Sequence, residues 1–183
     1  MKVFLNPGHH PGVDSGAVNL YYGVQEAYIV RNIGRLVEQY LEAAGMEVES
    51  LQSDNLAGES PAYPEVCGRT NESDADLFVS IHCNSAENKE AKGTETLVYS
   101  FGSEAERVAA SIQAQLAKTL RTIDRGVKER PRLIVLSHTD MPAVLVETAF
   151  ISNEEDVQIL MYEQDSIARA IARGITDYFS EEE

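Results

Sequence analysis

The chain has 183 residues, with 15 Lys+Arg against 30 Asp+Glu and a formal net charge of −15. That length suits one domain able to bury a core without metal or disulfide staples, and 43% hydrophobic with 25% charged residues argues against disorder. The surplus of negative charge would repel phosphate backbones, which excludes nucleic acid as a partner, and no apolar run approaches the ~18 residues of a membrane span.

Val3-Phe4-Leu5 reads as a first strand, stopped by Asn6-Pro7-Gly8. From Gln25 to Ala44 the residues Val30, Ile33, Val37, Tyr40, Leu41 and Ala44 recur at helical spacing, with Gly45 in the terminating position. Met46 to Leu51 alternates as a second strand, and residues 53 to 64, with Gly58, Pro61 and Pro64, form a loop that leads into a short helix before Asp76. Leu77-Phe78-Val79-Ser80-Ile81 is a third strand and Thr94 to Tyr99 a fourth. Ser103-x-x-Glu106 opens a helix with Val108, Ala109, Ile112 and Leu116 inward. Leu133 to Leu136 and Ala143 to Val146 supply two further strands, and Ser152-x-x-Glu155 is a second cap. Ile167, Ile171, Ile175, Tyr178 and Phe179 mark a last amphipathic helix, ahead of a frayed Glu181-Glu182-Glu183 tail. Central strands apolar on both faces need helices on each side, so the expected fold is a single α/β domain with a mostly parallel sheet.

In open α/β sheets ligands gather beyond the carboxyl ends of the strands. His9 and His10 follow strand one, His82 ends strand three and Glu147 ends the Ala143–Val146 strand, while Glu26 starts the helix that leaves the same edge. Glu26 falls in the middle of the buried stripe, where a carboxylate needs an ionic, hydrogen-bonded or metal partner. Its plainer reading is a first-turn acid favoured by the helix dipole, worth ~0.3–1 kcal/mol. His82 reads equally as a satisfied core histidine, His9 as an exposed loop residue and Glu147 as a strand-end acid facing solvent. Taken together, two histidines and a carboxylate form the ligand set of a catalytic zinc site with its fourth position open. Zinc lowers the pKa of water from ~15.7 to ~7, and a further carboxylate, for which Glu147 is the candidate, would move the proton.

Asn6-Pro7-Gly8-His9, the isolated Glu26, Ser80-Ile81-His82-Cys83-Asn84 and the run Met141 to Asn153 occur in that order. With Asp14-Ser15-Gly16-Ala17, Asn71, Ala75-Asp76 and Asp124-Arg125-Gly126-Val127, they resemble the zinc-dependent N-acetylmuramoyl-L-alanine amidases of the type-3 amidase family. That family includes bacterial cell-wall hydrolases and phage endolysin domains, and the likeness runs from about residue 2 to 178. The resemblance implies a twisted mixed sheet of about six strands flanked by helices on both faces. It implies that His9, Glu26 and His82 bind Zn²⁺ and that Glu147 is the catalytic general base and acid. The bond implied is the amide joining N-acetylmuramic acid to L-alanine of the peptidoglycan stem peptide.

Two departures stand out. The family's Asp-Pro-Gly-His-Gly-Gly is here Asn6-Pro7-Gly8-His9-His10-Pro11-Gly12, so His10 is a rival ligand. Cys83 replaces a common alanine and, by strand alternation, turns away from His82 into the core. His138 is assigned to the surface or the substrate rim. Cys67 and Cys83 are too few for a disulfide scaffold, though a single bridge between them is left open.

Some exported relatives carry an inserted helix that covers the zinc, whereas only Ser100, Phe101 and Gly102 separate Tyr99 from the Ser103 cap here, so an open site is expected. Residues 1–180 are expected to form the zinc amidase catalytic domain, with 181–183 as an acidic tail. No signal peptide is legible. Action at the cell wall, extracellular or periplasmic, would then imply a trimmed leader, an excised domain whose wall-targeting module is missing, or a phage enzyme made in the cytoplasm. Three other readings compete: a zinc peptidase or deacetylase, a peptidoglycan-binding module without metal, and a cysteine hydrolase using Cys83.

Overall fold

The computed structural model describes residues 1–60 and 62–181; the end of the acidic tail, residues 182 and 183, lies outside them. The chain runs β1 (Lys2–Pro7), β2 (Val18–Asn19), β3 (Val24–Gln25), α1 (Glu26–Ala43), β4 (Glu47–Ser50), α2 (Val66–Asn71) and β5 (Leu77–Asn84). It continues through β6 (Thr94–Val98), α3 (Glu104–Leu120), β7 (Asp124–Glu129), α4 (Ile134–Ser137), β8 (Ala143–Phe150), α5 (Glu154–Tyr162) and α6 (Gln164–Glu181). Six strands form one sheet in the order β4-β1-β5-β8-β6-β7, while β2 and β3 make a separate hairpin. Every pairing in the large sheet is parallel except β6 with β8. The sheet is therefore mixed.

Alternation along the strands sends two apolar sets to opposite faces. Val3, Leu5, Leu77, Val79, Ile81, Val144 and Val146 meet the apolar stripes of α1, α3 and α6 in the larger core. Phe4, Phe78, Leu97, Ala143 and Leu145 meet Val66 and Cys67 of α2 and Val135 and Leu136 of α4 in the smaller one. Two short helices cover only part of that second face. Toward the carboxyl ends of β5 and β8 its residues become Ser80, His82 and Glu147, and this uncovered strip carries the candidate site.

Helix ends follow the local chemistry. Gly45, at φ +84°, ends α1, with the Met46 amide donating to the Leu41 carbonyl in a Schellman-type closure. Ser103 Oγ accepts from the Glu106 amide at 3.3 Å, while Glu106 Oε2 accepts from the Gly102 amide, one residue before the expected capping-box partner. Asn153, not Ser152, caps α5 by accepting from the amides of Glu155 and Asp156. Asp156 is buried and accepts from the amides of Gly93 and Phe150 and from Thr122, which ties the start of β6 to the end of β8.

Three elements differ from the sequence reading. Residues 133–136, expected as a strand, lie mostly in α4 and lay Val135 and Leu136 onto the sheet face instead of joining it. A four-residue apolar run carries no period long enough to separate strand from helix. Strand β7 was not anticipated, because an edge strand reading Asp-Arg-Gly-Val-Lys-Glu has charged residues at four of six positions and a glycine at a fifth. The two-residue strands of the β2–β3 hairpin are likewise too short to leave a pattern.

Candidate active site

Four parts of the chain meet at the carboxyl edge of β1, β5 and β8. The segment after β1 bends sharply at His9, whose φ of +60° is one of three positive values among non-glycine residues described. This turn brings the His9 ring back toward α1. His9 Nδ1 pairs with Asp14 Oδ2 at 2.6 Å, and its Nε2 lies 3.2 Å from Glu26 Oε2. His82, from β5, places Nδ1 3.0 Å from the other oxygen, Glu26 Oε1. The two imidazoles stand edge to face with centroids 5.0 Å apart.

Glu26 is 3% exposed and fully engaged. Oε2 accepts from the Ala17 amide at 2.8 Å and Oε1 from the Cys83 amide at 2.9 Å. Burial would push this carboxyl up, but the hydrogen bonds and positive charge offered by His82 and His9 outweigh it and hold the group well below the ordinary carboxylate range. Burial alone would push His9 down; its bonds to Glu26 and Asp14 raise it instead, to about 9. Glu26 does stand in the first turn of α1, as its plainer reading has it, but there it is buried and bonded to two imidazoles and two backbone amides, so the helix dipole is not its only partner.

One ligand atom from each of His9, Glu26 and His82 lies within 4.8 Å of the other two, so the three could hold a metal ion. The donor set of two imidazole nitrogens and one carboxylate is that of catalytic zinc sites, and Asp14 behind His9 is the outer carboxylate such histidines use to fix their orientation. Glycines make room for the cluster. A Cβ on Gly8 would sit 2.2 Å from the His82 ring, and one on Gly16, at φ +62°, would be 2.6 Å from both Glu26 Oε2 and His9 Cδ2.

His10 is not part of this group. It bridges to Asp14 through the backbone and packs its ring against Tyr63 at 4.4 Å. His138 is exposed at the end of α4, where Asn71 donates to its carbonyl and Ser137 Oγ meets its ring. Cys83 turns into the larger core, and burial raises its thiol well above the ordinary value; both cysteines are free.

Glu147 is the Cα partner of His82 across the β5–β8 ladder, immediately before the register shift in that pair. A bulge beside a site re-aims the residues around it, and Thr148 secures this one by donating to the His82 carbonyl at 2.9 Å. Glu147 Oε2 is buried without a hydrogen-bond partner among the described residues. Burial foremost, with the charges of Glu26 and Glu95 against those of His82 and His9, pushes its carboxyl up to about 7.

Sequence reasoning missed the next member of the row. Glu95 of β6 faces Glu147 in the antiparallel ladder, is 5% exposed, and pairs through Oε2 with Arg125 Nε and Lys128 Nζ of β7. A lone Glu in a β-branched strand gave no signal of this. A sizeable cavity between the β2–β3 hairpin tip and the start of α5, lined by Leu20, Tyr21, Tyr22, Ser152 and Asn153, includes none of His9, Glu26, His82 and Glu147.

A sequence profile of the N-acetylmuramoyl-L-alanine amidase family matches residues 3–177. The chain belongs to that family. The amidase is 37% identical over 183 residues to the Bacillus subtilis protein YqiI, covering 98% of this chain and 85% of that one. It is 35% identical over 182 residues to the N-acetylmuramoyl-L-alanine amidase LytC of B. subtilis, covering 97% of this chain but 35% of LytC. Among solved structures, the CwlD amidase from Clostridioides difficile, determined in complex with the GerS lipoprotein, superposes with a TM-score of 0.87 at 28% identity and covers 98% of both chains. Among the described residues no helix is long and apolar enough to cross a membrane.

Proposed function

We propose that this amidase hydrolyses the amide between N-acetylmuramic acid and the L-alanine of the peptidoglycan stem peptide, with Zn²⁺ held by His9, Glu26 and His82 and Glu147 as general base and acid. The observation that carries the reading is the convergence of those three ligand atoms beside a half-buried carboxylate on the neighbouring strand, one oxygen of which is buried without a partner among the described residues. Zinc, when bound, supplies Lewis acidity toward the scissile carbonyl and the attacking water.

The chain's own residues do the rest. Glu26, fixed by two backbone amides, keeps its ionised form and holds the two imidazoles in place. Asp14 accepts from His9 Nδ1, which leaves Nε2 directed at the cluster. Glu147 takes a proton from water and returns it to the departing alanine nitrogen. Burial on the strand raises this carboxyl from its ordinary value, and a raised carboxyl is the kind of group that both takes up and gives back a proton.

We read residues 1–180 as the catalytic domain, peptidoglycan as the substrate and the cell wall as the place of action. The family profile and the LytC likeness support this. The experiment is product analysis on purified peptidoglycan with the zinc-loaded protein. Release of peptides with a free L-alanine amino group from intact glycan supports the reading. Release of free acetate, or of alanine from within the peptide, would assign the site to a deacetylase or a peptidase.

A further inference from the structure

We propose that Arg125 and Lys128, held by Glu95, form a carboxylate-binding subsite for the peptide that leaves from the scissile amide. The inference rests on the amidase reading above and names a substrate group that reading does not use.

His82 on β5, Glu147 on β8 and Glu95 on β6 are successive register partners, and Lys128 on β7 pairs with Leu97 on the same face. His82, Glu147 and Glu95 form one row across three adjacent strands, at the ~4.8 Å spacing of a sheet, and Lys128, two residues further along the β6–β7 ladder, extends it to a fourth strand by reaching back to Glu95. Its ends differ in chemistry. The metal-ligating group lies at one end and two cations lie at the other, with the proton-transferring acid between them. An acid that hands a proton to the leaving nitrogen stands on the leaving group's side of the carbonyl carbon. The departing peptide is therefore directed past Glu147, toward β6 and β7.

The cations there exceed what Glu95 needs. Glu95 Oε2 accepts from Arg125 Nε at 2.7 Å and also from Lys128 Nζ, while Oε1 accepts from Asn84 at 3.2 Å. Both of its oxygens are occupied, so Glu95 is a positioning residue, and one carboxylate facing two cations leaves a surplus positive charge. Their side chains stay 33% and 29% exposed, respectively. Arg125 is held over the Phe150 ring at 5.0 Å and spends Nη1 on the Lys92 carbonyl, which leaves Nη2 with no partner among the described residues. A fixed guanidinium edge beside an ammonium is a donor set for carboxylate. In a chain of net charge −15, such a local excess of positive charge is what an anionic peptide needs in order to settle at the site.

The test compares N-acetylmuramoyl-L-alanyl-D-glutamate with its diamide, in which both carboxylates are carboxamides, as substrates of the zinc-loaded protein. The wild type should favour the acid by about tenfold in kcat/KM, expressed mainly in KM, as expected for a charge-assisted hydrogen bond. Lys128→Met and Arg125→Met should each pull that ratio toward unity, and Lys128→Arg should restore it. Because both substrates are read on the same preparation, a loss of folded protein cancels. Equal cleavage of both substrates by the wild type, or a preference that survives both Met variants, removes the subsite and leaves the amidase reading standing. Cleavage of neither substrate removes both.

Discussion

His82 and Glu147 are partners in the parallel ladder between β5 and β8, so a proposed metal ligand and the proposed proton carrier share one face of the sheet on adjacent strands. Their spacing is set by the backbone. Neither side chain depends on a flexible loop for its position, and rigid elements hold a reacting geometry better than loops do.

Replacing Glu147 with Gln keeps the shape and removes the basic oxygen. Turnover should fall by about 10²–10⁴-fold, the usual contribution of a positioned acid–base group, while bound zinc and the melting temperature stay near wild type. Activity within a few-fold of wild type would take Glu147 out of the mechanism.

Gly16→Ala tests how tightly the cluster is built. The new methyl would press on both Glu26 Oε2 and His9 Cδ2 at 2.6 Å, in a backbone conformation with φ +62° that disfavours any side chain. Zinc affinity should drop and the protein should lose stability. Unchanged affinity in a calorimetric titration would mean that the ligands do not need this close approach.

The Glu95 cluster gives a pH signature. Burial raises the Glu95 carboxyl, yet the bonds to Lys128 and Arg125 lower it overall from its ordinary value of 4.5. A carboxyl depressed on folding stabilises the native state fully above its unfolded pKa, and that stabilisation is lost as pH falls through the folded value. Glu95→Gln should therefore melt a few degrees below wild type at neutral pH, with the gap closing below about pH 4.5. A gap independent of pH in thermal melts would deny the ion pairs a role in stability.

Cys83 should be inert. It lies in the core with its thiol raised by burial, so iodoacetamide should leave the activity of the folded enzyme intact. Rapid inactivation that tracks alkylation of Cys83 would revive the cysteine-hydrolase reading.

The sequence made much of the frame legible because its signals were local. The α1 stripe from Val30 to Leu41, the Ser103 cap and the doubly apolar β5 each reflect a period or a contact within a few residues. Strand β7 did not show, since the hydrophobicity of an edge strand is optional, and α4 read as a strand because Leu133 to Leu136 is too short to carry a period. Within the site, His9, Glu26, His82 and Glu147 were visible as polar residues at strand ends or on a buried stripe. The roles of Asp14 and Glu95 were not, because each acts through a partner fixed only by folding: Asp14 through the αL bend at His9, and Glu95 through a strand on the far side of α3 in the chain.

The most direct measurement is the metal content and coordination of the purified protein, by elemental analysis with X-ray absorption at the zinc edge. The account predicts about one zinc per chain in a nitrogen- and oxygen-ligated site, lost when His9, Glu26 or His82 is replaced by Ala. Stoichiometric zinc that survives all three replacements, or a protein that binds no divalent metal at all, would contradict it.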